Sequence, residues 1–202
     1  MLPDVAAWGR GIDSFIASDL RNPFAVAIAA ALTYSATPEV TGIGLTIAGP
    51  LALIVAGRRL DALKGFVVLV GSLGFAAIVK AIIVEPRPPQ SLWAIAADSG
   101  ASYPSGHTTV AAAAIVASFM VACGRRWRMV AAIGGGIWVL AVAASRVYLV
   151  NHHPWDVLGS ILVVLSVGMT ASGLIALPAL QSRLIVMNVG RSARQKMDRT
   201  SP

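Results

Sequence analysis

Charge is scarce in this chain. Only 12% of its 202 residues are Asp, Glu, Lys or Arg, about half the ~25% usual for a soluble domain. So few charges cannot coat a water-exposed surface. With 56% hydrophobic residues and a mean hydropathy of +0.75, the missing polar surface is assigned to lipid contact. Cysteine is nearly absent as well. Cys123 alone excludes an internal disulfide and cannot build a zinc site; it closes an apolar run before Gly124-Arg125-Arg126 and reads as a small buried hydrophobe. The N-terminus lacks the pattern of a cleaved signal, since Asp4 is its first charge and Arg10 comes late. No internal repeat or low-complexity tract is evident.

What is present is a set of long apolar runs. A membrane-crossing helix needs about 20 mostly apolar residues, and the runs at Val40–Gly57, Leu63–Val84, Thr108–Cys123, Met129–Val147 and Val157–Pro178 meet or approach that length. Val5, Trp8, Ile12, Phe15, Ile16 and Leu20 recur at helical spacing against Asp4, Arg10, Asp13 and Asp19, which predicts an amphipathic helix lying on the membrane. Pro23–Thr33 is apolar but short, so five or six spans are expected. The fold class is all-α, a polytopic transmembrane helical bundle. Its parts are an N-terminal interfacial segment over 1–36, a membrane domain over 37–180 and a basic cytoplasmic tail over 181–202, expected to be disordered from Arg191 to Pro202.

The net charge of +7 does not point to nucleic acid, because the basic residues sit in short connections between apolar runs. Arg58, Arg59, Lys64, Arg125, Arg126 and Arg128 fall on one side with Arg183, Arg191, Arg194, Lys196 and Arg199 of the tail. The other side holds Arg87, with Lys80 and Arg146 at helix ends. That asymmetry places the first set in the cytoplasm. The segments Glu85–His107 and Tyr148–Asp156 then face outward, as in a multi-pass protein of a bacterial-type plasma membrane. Glycines 42, 44, 71, 74 and 134–136 are expected to let helices approach closely.

Three clusters share the outward face. Lys80 is followed, after six residues, by Arg87-Pro88. Next comes Pro104-Ser105-Gly106-His107. The third is Ser145-Arg146, then His152, then Asp156. Singly, each has a structural explanation: a snorkelling lysine, a turn with a helix cap, an anchoring arginine. Jointly, in this order and spacing, they resemble the type 2 phosphatidic acid phosphatase superfamily, whose lipid phosphate phosphatases are related to the vanadium haloperoxidases. The resemblance implies a helical bundle with a metal-independent phosphatase site at its outer end, acting through a phosphohistidine. It makes His152 the nucleophile and His107 the general acid, with no cofactor and with a phospholipid or polyprenyl phosphate in the bilayer as substrate. The Glu85-Pro86-Arg87-Pro88 context is similar to bacterial undecaprenyl-diphosphate phosphatases, which makes polyprenyl diphosphate the leading expectation. Phosphatidic acid, phosphatidylglycerol phosphate and a decaprenyl-linked sugar phosphate are the alternatives.

The chemistry agrees with that likeness. Phosphoryl transfer gathers negative charge on oxygens, so a site needs fixed cations and oriented donors. Lys80, Arg87 and Arg146 supply cations, and Ser105 and Gly106 stand where a helix start offers free N–H groups to an anion. Asp156, four residues beyond His152, can hold one imidazole nitrogen as a donor and leave the other free. His153 fits neither spacing. Glu85 is expected to pair with Arg87, and Glu85 and Asp156 are too few carboxylates for a metal site. A phosphotransferase on the same histidine, or a membrane scaffold with a decayed site, are the competing functions.

Overall fold

The computed structural model describes residues 3–98 and 100–176. Seven α-helices account for most of them: α1 (Pro3–Phe15), α2 (Pro23–Tyr34), α3 (Ile43–Val55), α4 (Arg59–Ile83), α5 (Gly106–Val121), α6 (Arg125–Tyr148) and α7 (Pro154–Ala176). No strand occurs among the described residues. The tail expected over 181–202, and the last residues of the span expected to reach Pro178, lie outside them.

Local chemistry sets the boundaries. Asn22 caps α2 by accepting from the Ala25 N–H at 2.9 Å, with Pro23 in the first turn, where its missing N–H costs nothing. Pro154 opens α7 in the same way. Gly57 (φ 75°) and Gly124 (φ 84°) take the left-handed backbone that ends α3 and precedes α6.

The apolar stretch 23–55 is a broken crossing. The backbone N–H of Asn22 and the carbonyl of Leu20 both bind the Tyr148 hydroxyl at the end of α6 (3.2 and 3.0 Å), and Ser35 accepts from the indole of Trp138 at 3.0 Å. Helix α2 therefore runs antiparallel to α6. The chain breaks at Ser35–Thr37; Pro38 then opens a π-helical turn over Pro38–Gly42 that runs into α3, which packs alongside α4. Residues 23–55, α4, α6 and α7 are each long and apolar enough to cross a membrane, and the shorter α5 makes a fifth apolar pass.

At 16 residues, or about 24 Å, α5 is short because it is central. It packs against α4, α6 and α7, and its Ala111, Ala112, Ala113 and Ala117 meet Val68, Leu69, Val142 and Val164 in the core. Alanine at these positions lets three helices close around one. The glycines divide by the same test. A side chain at Gly135 would collide with Ile115 and one at Gly168 with Val116, whereas Gly44, Gly74, Gly134 and Gly136 have open space beside them. Close packing thus explains only some of the expected glycines. Around the bundle, Ile47, Leu51, Ile133, Ile137, Leu140, Leu158, Leu162 and Met169 face outward, an apolar belt suited to lipid. Cys123 is a correction: it is exposed, because α5 ends at Val121 and leaves the thiol in the α5–α6 connection.

Candidate functional site

The sequence clusters converge at one end of the bundle. Lys80 lies in the last turn of α4, His107 in the first turn of α5, Arg146 in the last turn of α6 and Asp156 in the first turn of α7. The start of α5 is tied to the start of α7: the Ser105 N–H donates to the Asp156 carbonyl (3.2 Å), and the Ser160 hydroxyl donates to the Ser105 carbonyl (2.9 Å). Two valines in left-handed backbone, Val84 (φ 46°) and Val150 (φ 54°), reverse the chain just before Arg87 and His152. A β-branched residue there is strained, and such strain gathers at functional sites.

His152 is fully buried and held on both nitrogens. Its Nδ1 is 3.2 Å from Asp156 Oδ2 and 3.1 Å from the Ser102 hydroxyl; its Nε2 is 3.1 Å from Arg87 Nη1. A guanidinium only donates, so this network assigns the lone pair to Nε2 and the proton to Nδ1. Asp156 Oδ2 also accepts from the Ser102 hydroxyl and from the His153 N–H at 2.9 Å. Burial pushes the His152 imidazole well below its ordinary value of 6.5, and the charges of Arg146, Arg87 and Lys80 push it further. At neutral pH the ring is neutral.

The cations surround it. Lys80 Nζ donates to the Ala101 carbonyl (2.6 Å), and Arg87 donates to the carbonyls of Gly100 (3.1 Å) and Asn151 (2.9 Å). Arg146 is 1% exposed; its Nη2 lies 3.3 Å from Asp98 Oδ2, and its buried Nε has no partner. His107, also buried, places Nδ1 3.3 Å from the same Asp98 oxygen. Ser105 is buried at the α5 start, but its side chain makes no cap; Thr108 donates to it at 3.3 Å. Because the Ser105 N–H is committed to Asp156 and the Thr109 N–H to the Ser105 carbonyl, the helix-start donors left for an anion are those of Gly106, His107 and Thr108. Gly106 has a second reason to lack a side chain, since a Cβ there would press on Pro38.

One sequence expectation fails here. Glu85 does not pair with Arg87 among the described residues; its carbonyl instead accepts from the Ser102 N–H at 2.7 Å, and Arg87 turns inward. The carboxylate that does enter the site is Asp98, from the segment after Pro88. Ser102 was likewise not anticipated, since nothing in the sequence separates it from any other loop serine. His153 points away, with Nδ1 3.1 Å from the buried Asp13 of α1 and its ring stacked on Trp155 at 4.4 Å. Among the described residues, no three His, Cys, Asp or Glu side chains gather as a metal site.

With this geometry in view, the comparisons decide the family. The model of the PAP2 superfamily matches residues 61–176, more than half of the chain. The chain belongs to the PAP2 superfamily. Among solved structures, its fold is similar to a transmembrane PAP2-type phosphatidylglycerolphosphate phosphatase from Bacillus subtilis (TM-score 0.74, 21% identity, covering 85% of this chain and 86% of that one). It is also similar to LpxE from Aquifex aeolicus (TM-score 0.58, 15% identity, covering 79% and 92%). No curated protein matches significantly. The PAP2 match begins at Asp61, so α1–α3 lie outside it and all three residue clusters lie inside.

Proposed function

We propose that this PAP2 protein is a membrane lipid phosphatase in which His152 attacks phosphorus. The observation that carries the reading is buried His152, with Nε2 3.1 Å from Arg87 and the ring near enough to Arg146 and Lys80 to feel their charge. A neutral nucleophile inside a ring of cations suits a phosphoryl group and little else. The ring lies at the end of an apolar bundle, so a substrate can leave its chains in the bilayer and bring only its headgroup to the site.

In the first step Nε2 forms a bond to phosphorus while the ester P–O bond breaks, and His107 gives its proton to the leaving oxygen. The charge arising on His152 is compensated by Asp156 through Nδ1–H. In the second step water attacks phosphorus. His107 takes the water proton, the N–P bond breaks and orthophosphate leaves. Lys80, Arg87, Arg146 and the N–H groups at Gly106 and His107 hold the phosphoryl oxygens, and Ser105 ties the α5 start to α7. No metal enters this scheme; activity is expected to survive chelators, and loss restored by added magnesium would contradict it.

The substrate is a lipid phosphomonoester or diphosphate. The polyprenyl diphosphate expectation rests on the Glu85–Pro88 context, and the phosphatidylglycerol phosphate alternative gains support from the fold neighbour. Phosphate release by the purified protein from polyprenyl diphosphate, phosphatidic acid and phosphatidylglycerol phosphate ranks them; no release from any would sink the phosphatase reading. The basic connections favour the extracytoplasmic face for the site. A cysteine at Ala97, in a Cys123→Ser background because Cys123 is exposed, should react with an impermeant reagent on intact cells. Labelling only after lysis would invert the topology.

A further inference from the structure

Each of these cations already has a partner, and one short segment supplies one to all three. The carboxylate of Asp98 lies 3.3 Å from both Arg146 and His107, the Gly100 carbonyl accepts from Arg87 and the Ala101 carbonyl accepts from Lys80. These oxygens, all from residues 98–101, engage the groups assigned above to a phosphoryl group. Only Asp98 is charged, and it is 42% exposed while Arg146 and His107 are buried. The exposed partner is the one free to leave. Its contact with His107, and next the charge of Arg146, hold its carboxyl well below the usual carboxylate range, so mild acid does not release it.

We propose that Asp98 is an internal competitor for the phosphoryl position, and that substrate binds by displacing its carboxylate from Arg146 and His107. The inference rests on the phosphatase reading above. Displacement lowers the apparent affinity of every anion by the fraction of sites that stand open. A phosphomonoester or diphosphate, with more charge to place among the cations, overcomes that loss. A phosphodiester, with a single charge, starts from weaker attraction and falls below useful binding. Asp98 thereby keeps the diester headgroups of the surrounding bilayer out of a site built for phosphate.

Orthophosphate binding to the full-length protein, measured by calorimetry for wild type, Asp98→Ala, Asp98→Asn and Arg146→Ala, tests this. Expected is a Kd about tenfold lower in both Asp98 variants, which corresponds to a site that is open roughly a tenth of the time in the wild type. In mixed micelles, phosphatidylglycerol should inhibit the Asp98 variants and not the wild type. An unchanged or weaker phosphate Kd in variants of unaltered melting temperature would overturn the proposal. A fall in kcat with that Kd unchanged would recast Asp98 as a positioning residue for His107. Tighter phosphate without diester inhibition would remove the selectivity claim. If phosphate bound to none of the four proteins, the phosphate-site reading itself would fall.

Discussion

The two ends of the bundle use the same residue types to opposite effect. At the end remote from His152, Arg58 and Lys64 flank Asp61 at 2.8 and 3.1 Å, with side chains 26–33% exposed. Arg58 also donates to the last-turn carbonyl of Val121. Each of these three charges has a local partner and a part-exposed side chain, an arrangement that terminates helices and contributes little else. At the His152 end, Arg146, His152 and Asp156 are buried, the cations outnumber the carboxylates facing them, and backbone carbonyls occupy donors that an anion would fill. Charge alone does not mark the site. Buried positive charge without enough negative charge does.

Substitutions at the two ends test that contrast. The largest effect is expected from His152→Ala, which should lower phosphate release by at least about a thousandfold while the protein still inserts and folds. Retained turnover would remove the nucleophile assignment. Next is Arg146→Ala against Arg58→Ala. The first should cost about a hundredfold or more in kcat/KM. The second should leave activity within about twofold and change stability by about 0–1 kcal/mol, as for a part-exposed pair. Equal losses from both would erase the distinction between the ends. Ser102→Ala should be milder, about tenfold in kcat, because Asp156 still orients His152.

The smallest effect is a pH dependence of stability. His152 is depressed below 6.5 by burial and by three nearby cations. Below pH 6.5 the unfolded chain takes up a proton that the folded protein refuses, so stability falls as pH drops through that window and this contribution vanishes above it. The melting temperature of wild type should therefore drop more between pH 7.5 and 5.5 than that of His152→Gln. An equal drop would show that the imidazole is not held neutral.

Much of this was legible in the sequence, for definite reasons. Long apolar runs announce spans because lipid forbids unsatisfied backbone, and the clusters at Lys80–Arg87, Ser105–His107 and Arg146–Asp156 sit at helix ends, where sequence spacing translates directly into position. The break at Ser35–Thr37 was hidden, because Pro23–Thr33 looks too short until it is joined across it to the helix that Pro38 opens. Ser102, and the partners that Asp98 meets, were hidden because they depend on a connection whose path is set by Val84, Val150 and the carbonyls of Glu85 and Leu149, none of which has periodicity to read. The exposed Cys123 shows the same limit at a helix end, where one residue of extension decides burial.

The central claim is that phosphorus is transferred to Nε2 of His152. Rapid quenching of the purified protein during turnover of a lipid substrate labelled in its phosphate, followed by peptide mapping by mass spectrometry, tests it directly. A transient phosphoryl label is expected on the peptide containing His152, lost in His152→Ala and accumulating in His107→Ala if leaving-group departure still proceeds. A label on any other residue, or turnover with no protein-bound phosphate at any quench time, would contradict it.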